Sequence, residues 1–253
     1  MNAVWNRALA LSLLAAGAVG GMSGAAWATP GPPTPIAVVN PSFEANTTPN
    51  GSNGTQSYWF VGSFTGWSVS GNGAAGWFHP STFTYPGGGS LSVAATGIPN
   101  GSQVAFVNGG AGLAQALSTN FAANSQYTLD FSVGERNDGV ALPTSYTVEL
   151  LAGTHVVASV VNPGLAGLVP GAFQSATLTY TSAIFDPLAG QPLGIVLLGS
   201  GSIGTQVNLD NFSLSVINAV NPISEPWALV ILGVGSLAAF AAKEARLGWR
   251  GRA

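Results

Sequence analysis

The stretch that decides the fold lies late in the chain, where residues 207–216 read VNLDNFSLSV. Apolar and polar residues alternate in it, which is the pattern of a strand with one face on a core and the other in solvent. A β-bulge at Asp210 and Asn211 would turn all of its apolar residues toward one face, because the alternation changes phase there. The two apolar sets are Val207 with Leu209, then Phe212 with Leu214 and Val216.

Similar alternating segments occur through the middle of the chain, for example at residues 127–133, 146–150 and 176–180. Gly, Asn and Pro separate them, and no convincing helical period occurs between residues 29 and 222. About ten such segments predict an all-β body over residues 36–218, a two-sheet sandwich of jelly-roll type. A β-helix is the alternative, but no short repeat of fixed period supports it.

Only 15 of the 253 residues are charged (six Lys or Arg plus nine Asp or Glu), which is 6% of the chain. An average soluble domain has about 25%. Six basic residues cannot form the broad basic face that phosphate binding requires, so nucleic acid is excluded as a partner. The chain has no Cys, which excludes disulfides, thiol catalysis and Cys-type zinc sites.

The first 28 residues have the organisation of a secretory signal peptide. Arg7 supplies the positive charge, residues 8–19 are apolar, and residues 26–28 read AWA, a small-residue cleavage pattern. A Pro-rich linker, residues 29–35, follows. A first transmembrane helix is the alternative, but the apolar stretch is short for one. We therefore expect residues 1–28 to direct export.

The opposite end of the chain predicts a transmembrane helix over residues 227–242, which carry no charge. At about 1.5 Å per residue this helix spans roughly 24 Å, close to the ~30 Å of a hydrocarbon core. The tail, residues 243–253, is basic, so the positive-inside rule places it in the cytoplasm and the body outside. A buried amphipathic helix is the alternative, but it would need a polar face. The tail contains four of the six basic residues: Lys243, Arg246, Arg250 and Arg252.

A short motif, Ser224, Glu225 and Pro226, precedes this helix within a linker of residues 219–226. Motif, apolar helix and basic tail in this order resemble the PEP-CTERM sorting signal. Glu225 and Pro226 match the second and third positions of that family's Pro-Glu-Pro motif, and Ser224 stands at the first. The resemblance implies an intramembrane exosortase as partner, in a bacterium that makes exopolysaccharide. It also implies a final location at the cell surface or in the extracellular matrix.

A second resemblance covers the body. VNPSFE at 39–44, GW at 66–67, QVAFVN at 103–108, LAQ at 113–115 and LDNF at 209–212 occur in this order. They are similar to motifs of the galactose-binding-like jelly rolls, which include many carbohydrate-binding modules. The resemblance implies a structural Ca²⁺ held by Glu44 and Asp210, and Ca²⁺ takes about six to eight oxygen ligands. In the alternative, Glu44 caps a turn and Asp210 accepts hydrogen bonds from backbone amides.

Aromatic residues are concentrated between positions 59 and 85. Trp77, Phe78 and Tyr85 lie in a region rich in Gly and Pro, where an aromatic face could contact a sugar. Trp59 and Trp67 flank strand-like segments, so we expect them in the core.

The body's charged cluster is ERND at residues 135–138. Arg136 and Asn137 could form a polar rim for a glycan, because a planar guanidinium and an amide are good partners for hydroxyl groups. The alternative is a solvated loop with an ion pair that contributes little.

No catalytic constellation is apparent. The acids match no glycosidase motif, and His79 and His155 each stand alone in loop-like or turn-like segments. No nucleophile elbow, phosphate loop or zinc motif occurs. The sequence therefore predicts a non-catalytic cell-surface or matrix protein associated with exopolysaccharide and biofilm. A glycan-binding module with a specific carbohydrate ligand is the first alternative, and a polysaccharide hydrolase is the second.

Overall fold

The structure is a computed structural model that describes residues 31–52, 58–80, 84–85 and 97–218. The predicted signal peptide, sorting motif, transmembrane helix and basic tail lie outside these residues. Within them, the chain forms strands almost throughout, and its one helical element is a single 3-10 turn, Leu165–Gly167. No helix of the described part is long and apolar enough to cross a membrane.

The strands, numbered β1 to β13 in chain order, form two sheets. The eight-stranded sheet contains β1 (Thr34–Ile36), β2 (Gly51–Ser52), β3 (Tyr58–Val61), β5 (Ala75–His79), β6 (Val104–Asn108), β8 (Ser125–Glu135), β11 (Ala172–Thr181) and β13 (Gln206–Asn218). The five-stranded sheet contains β4 (Ser68–Gly71), β7 (Ala111–Asn120), β9 (Ser145–Ala152), β10 (His155–Val161) and β12 (Pro192–Ser200). This architecture confirms the predicted all-β, two-sheet sandwich and is consistent with a jelly roll.

Strand β13 is the centre of the larger sheet. It pairs with β8 along one side and with β6 and β1 along the other, always antiparallel. Its register against β8 shifts between Asp210 and Ser213, and Asn211 adopts a left-handed backbone with φ of 54°. The bulge predicted at Asp210 and Asn211 is therefore confirmed.

One hydrophobic core fills the space between the two sheets. Its aromatic centre is formed by Phe43, Trp67 and Phe212, whose ring centroids lie 5.4 to 6.0 Å apart. Apolar side chains of both sheets surround this group, including Leu129, Val133, Leu209 and Leu214 from the larger sheet and Leu113, Leu150 and Ile195 from the smaller one. Trp67 lies where the sequence predicted it, in the core.

The opposite side of the eight-stranded sheet, which we call the outer face, is also partly covered. Gln206, Asn208 and Asp210 alternate with core residues along β13, so their side chains point to this face. All three are nevertheless buried, because Tyr85 and residues 97–103 lie over them. The bulge thus leaves one face of β13 apolar and the other polar.

Substitution of Asn211 tests the bulge. We expect Asn211→Val to lower the free energy of unfolding by about 1–2 kcal/mol, because a left-handed backbone is unfavourable for a side chain branched at Cβ. Asn211→Gly is the matched control: it loses the same side-chain contact with Asn100 but tolerates the backbone. Urea denaturation measures both variants, and equal losses would show that the left-handed conformation does not matter.

Candidate functional site

A second apolar cluster lies on the outer face, separate from the core between the sheets. Phe78, Val104 and Phe106 come from the neighbouring strands β5 and β6, and Ile98 comes from the segment that covers them. Trp59, Ala74 and Phe173 pack around this group. A polar surface of a β-sandwich would not need such a cluster, so the outer face is a candidate binding site.

A row of polar side chains crosses this face beside the aromatic residues. The Tyr85 hydroxyl donates a hydrogen bond to Oδ1 of Asn208 (2.9 Å), and Asn208 Nδ2 donates to the carbonyl of Ala105 (3.2 Å). Burial raises the pKa of Tyr85 well above its usual value, so its hydroxyl remains a donor at neutral pH. Asn208 is therefore held in one orientation from two sides.

Glycine at position 134 makes this arrangement possible. A Cβ at Gly134 would lie 2.7 Å from the Tyr85 hydroxyl oxygen and 2.6 Å from the Phe173 ring. Since real side chains do not approach so closely, only glycine lets both rings lie flat on β8. The absence of a side chain here places Tyr85 within reach of Asn208.

Arg136 closes the other end of the polar row. Its Nη1 donates to Oε1 of Gln206 (3.0 Å), and its guanidinium lies 4.9 Å from the centre of the Phe78 ring. Two further hydrogen bonds join Arg136 to Asp138. Although burial opposes the shift, these bonds and the charge of Arg136 lower the pKa of Asp138. Asp138 therefore stays ionised at neutral pH, and its hydrogen bonds to Arg136 keep that guanidinium placed against Gln206.

Asp210 is the chemically unusual group of the site. Its side chain has no exposed surface, and burial raises its pKa to about 8. The amides of Asn100 and Asn211 donate to its two oxygens (2.9 and 2.7 Å), which lowers the pKa, whereas the charge of Glu44 raises it. Near neutral pH, Asp210 is therefore a buried acid that still carries its proton.

Two cavities open on the outer face. The first, of about 330 Å³, lies between Trp59, Phe78 and Phe106, with Arg136 and Gln206 at its polar side. The second, of about 420 Å³, is lined by Ser132, Pro99 and Phe173, among others. Ser132 lies directly opposite Asp210 in the sheet, and Pro99 precedes the residue whose amide binds Asp210. The acid thus lies beside the second cavity, and one apolar cluster lines both cavities: Trp59, Phe78 and Phe106 line the first, and Ile98 and Phe173 line the second.

The predicted calcium ligands, Glu44 and Asp210, are close enough for the charge of one to raise the pKa of the other. Their oxygens suit Ca²⁺ chemically, but all four accept hydrogen bonds already. The carboxylate oxygens of Glu44 accept hydrogen bonds from the backbone amides of Ser102 (2.7 Å) and Gln103 (2.5 Å) and from the Ser102 hydroxyl (3.2 Å). No group of three or more potential metal-binding side chains occurs in the described ranges. Both carboxylates thus accept hydrogen bonds in this arrangement, and calcium binding by Glu44 and Asp210 stays a prediction.

The structure brings together three of the five predicted ligand contacts. Phe78, Tyr85 and Arg136 all lie on the outer face. Trp77 does not: it is fully buried in the core and stacks on Phe60, because it points to the opposite side of β5. Asn137 is exposed in the loop after β8, where its amide donates to the carbonyl of Thr84.

Several residues of the site were not predicted. Trp59 was expected in the core but lines the first cavity, and Phe106, Phe173, Gln206 and Asn208 received no role. A signal for two of them is present in the sequence: Gln206, Asn208 and Asp210 are polar at every second position of a strand whose other residues are core. Alternating polar side chains that are nonetheless buried indicate a covered site rather than a solvent face.

Solved structures with the same fold include several cyclases. A cyclase from Fischerella sp. TAU superposes with a TM-score of 0.56 and 25% identity, covering 75% of this chain and all of that one. The Stig cyclase Fisc from the same organism, in complex with (3Z)-3-(1-methyl-2-pyrrolidinylidene)-3H-indole, gives a TM-score of 0.58 at 24% identity, with the same coverage. A weaker likeness (TM-score 0.39, 15% identity, 69% of this chain and 94% of the other) exists to TmCBM61, a carbohydrate-binding module bound to β-1,4-galactotriose.

No curated protein matches the sequence. A family model does: HpiC1-like, described as HpiC1 cyclase, matches residues 34–215, which is well over half of the chain and nearly all of its described part. This match and the solved cyclases overturn the prediction of a non-catalytic cell-surface or matrix protein, and with it the prediction that the chain is not an enzyme. Sequence reasoning failed because the site has no short catalytic motif; its parts come from β3, β5, β6, β8 and β13. The chain belongs to the HpiC1-like cyclase family.

Proposed function

We propose that this protein is an acid-assisted cyclase that closes a ring in a small, largely apolar substrate of the indole type. The observation that carries the proposal is Asp210, a fully buried acid with a pKa of about 8 beside aromatic cavities. Membership of the HpiC1-like family supports it. So do two solved Fischerella cyclases, one in complex with (3Z)-3-(1-methyl-2-pyrrolidinylidene)-3H-indole and one in complex with 4-(1H-indol-3-yl)butan-2-one.

The aromatic cavity supplies the first requirement of ring closure, which is to hold a flexible substrate with its reacting atoms together. Trp59, Phe78 and Phe106 form three of its walls, and its volume of about 330 Å³ suits a small molecule. The second cavity, beside Asp210, continues the same apolar cluster through Ile98 and Phe173, so a substrate that extends into it reaches the acid. Aromatic faces also stabilise positive charge that develops on a substrate after protonation. The site can therefore bind an apolar substrate and its cationic form.

Asp210 supplies the second requirement, a proton in a site with little water. Because its pKa is about 8, it is largely protonated at pH 7 and can donate a proton to an electron-rich carbon of the substrate, which then closes the ring and releases a proton elsewhere, so that the product is an isomer. The carboxylate left behind accepts hydrogen bonds from the amides of Asn100 and Asn211, which stabilise it until the proton returns.

The remaining polar residues position the site. Tyr85 and the carbonyl of Ala105 fix Asn208, and the Arg136–Asp138 pair fixes Gln206. Both amides are thus oriented before a ligand arrives, which reduces the entropy lost on binding.

Activity of the Asp210→Asn variant tests the proposal. We expect this change to reduce cyclisation of an indole with an unsaturated side chain by about 10²- to 10⁴-fold, the usual contribution of a general acid. Wild-type activity should decline above about pH 8, where Asp210 loses its proton. Chromatography detects a ring-closed isomer by its retention at unchanged mass.

Asp130→Asn is the matched control for activity. Like Asp210, Asp130 lies on the outer face of the larger sheet, but it belongs to β8 and is exposed. Its carboxylate accepts a hydrogen bond from the Thr177 hydroxyl (2.6 Å). This variant should keep wild-type activity. An Asp210→Asn enzyme as active as wild type would refute the assignment of the acid.

The stability of the same variants tests the raised pKa directly. An aspartate in the unfolded chain has a pKa near 4, whereas that of folded Asp210 is about 8. Between these values the folded state binds more protons, so the free energy of unfolding should decrease as the pH rises from about 4 to about 8. In the Asp210→Asn variant, we expect the free energy of unfolding to lose the part of this pH dependence that comes from Asp210. In the Asp130→Asn variant, we expect that part to remain. Urea denaturation at several pH values provides the measurement, and identical slopes in wild type and Asp210→Asn would contradict the shift.

We also propose that this cyclase is exported, anchored by residues 227–242 and processed by an exosortase. The charge-free segment, the basic residues after it and the motif Ser224, Glu225 and Pro226 support this.

Fractionation of cells with and without the exosortase tests the sorting proposal. The protein should accumulate in the membrane fraction when the exosortase is deleted, because its anchor is then retained. Glu225→Gln in wild-type cells should have the same effect. Unchanged distribution in both cases would defeat the proposal.

A further inference from the structure

The loop between β11 and β12 exposes two large apolar side chains. Phe185 is 93% exposed and Ile184 is 62% exposed, and they are adjacent in the chain. Phe185 has the largest exposed fraction among the large apolar residues of the described ranges. Burial of such side chains is favourable, so this pair, which we call the apolar tip, is suited to contact a partner.

The base of this loop is held by hydrogen bonds. The carbonyl of Ala183 accepts a bond from Asn124 N (2.8 Å), and Gly190 N donates to the carbonyl of Phe121 (2.8 Å). Asp186, next to the tip, uses its carboxylate within the loop, accepting from Leu188 N and from the Tyr180 hydroxyl. The backbone thus presents the tip in a defined direction.

The apolar tip lies at the end of the sandwich where the chain enters and leaves. Ser182, just before the tip, bonds Ser125, and Ser125 Oγ donates to Asn218, the last residue of β13. Thr34, near the entry of the chain, pairs with Val216. The predicted membrane segment begins nine residues after Asn218, at Trp227. A body anchored by that segment would therefore bring this end close to the bilayer.

The turns at this end carry little charge. Residues 121–124, 153–154 and 182–191 are joined by hydrogen bonds between Phe121 and Gln191 and between Gly153 and Pro192. Asp186 is the one Asp, Glu, Lys or Arg among them. A nearly uncharged surface with two projecting apolar residues is compatible with the headgroup region of a membrane.

The cavities belong to the other half of the molecule. Asn108 lines the first cavity and donates to the carbonyl of Ile203, which lies in the loop at the opposite end of β12. A strand the length of β12 extends roughly 30 Å, so the first cavity lies well away from the apolar tip.

We propose that Ile184 and Phe185 insert into the membrane–water interface on the extracytoplasmic side of the bilayer, and hold the sandwich with its first cavity directed away from the lipid. This inference rests on the proposed anchoring and describes the chain while the anchor is still attached, before the exosortase removes it. It assigns the tip to a bilayer rather than to a second copy of the chain, because the tip shares its end with the exit to the anchor.

Spin labelling tests the inference well, because the natural chain has no Cys and a single substitution gives a single label. The full chain is reconstituted into phosphatidylethanolamine–phosphatidylglycerol vesicles with a label at Ala183→Cys, which retains both tip residues. Ile203→Cys, also exposed and at the opposite end, is the matched control. Ser236→Cys reports on the anchor itself. Collision with oxygen and with a water-soluble nickel chelate measures the depth of each label.

We expect the Ala183 label to collide with the nickel chelate several-fold less often than the Ile203 label, and more often with oxygen. Adding Phe185→Ser to Ala183→Cys should abolish most of this protection without changing the circular dichroism spectrum, since the side chain contributes little to the fold. Equal accessibility of the Ala183 and Ile203 labels, with the Ser236 label deep in the bilayer, would overturn the inference alone.

An accessible Ser236 label would instead refute the anchor and, with it, the inference. Protection of the Ala183 label that appears without vesicles and grows with protein concentration would also overturn the inference, because a second copy would then cover the tip.

Discussion

The bulge at Asp210 and Asn211 is the constraint on which the rest of the structure depends. Strand β13 is bonded along both sides, so a change in its phase affects its neighbours in the larger sheet. With the extra residue, Leu209 and Phe212 both face the core; without it, one of the two apolar sets would point to the outer face. The bulge also directs the Asp210 carboxyl away from the core. The backbone amide of Asn211 provides one of the two hydrogen bonds to that carboxyl. Packing and chemistry therefore share a single backbone feature.

The scarcity of charge in this chain explains how a carboxyl group can remain protonated in its interior. Arg136 is the nearest source of positive charge on the outer face, and Asp138 neutralises it through paired hydrogen bonds. The pKa of Asp210 is therefore raised mainly by burial and also by the negative charge of Glu44, and these effects outweigh the hydrogen bonds from the amides of Asn100 and Asn211, which lower it. A more highly charged protein would have to exclude cations from this region by other means. In this protein, the low content of Lys and Arg keeps positively charged side chains away from Asp210.

Much of the fold could be predicted from the sequence, because strand alternation is a local property. The segments at 127–133, 146–150 and 176–180 are all strands, and the phase change near Asp210 and Asn211 indicated the region of the bulge. The site was harder, because β5 is buried on both faces and its sequence does not distinguish Trp77 in the core from Phe78 at the site. Trp59 was misplaced because its strand, β3, carries aromatic side chains on both faces, and the sequence does not show which face meets the core. The contact of Tyr85 with Asn208 joins positions 123 apart, and no local pattern predicts it.

The lone Arg136 has a practical consequence for anyone who handles the protein. Between Arg7 and Lys243 the sequence contains no other Lys or Arg, so trypsin has one peptide bond to cut in the whole body. That bond follows a side chain that is only 18% exposed and is held by Asp138 and Gln206. Resistance to tryptic cleavage thus reports the integrity of one polar network rather than of the fold at large. A single nick would yield two large fragments that divide the chain directly after β8.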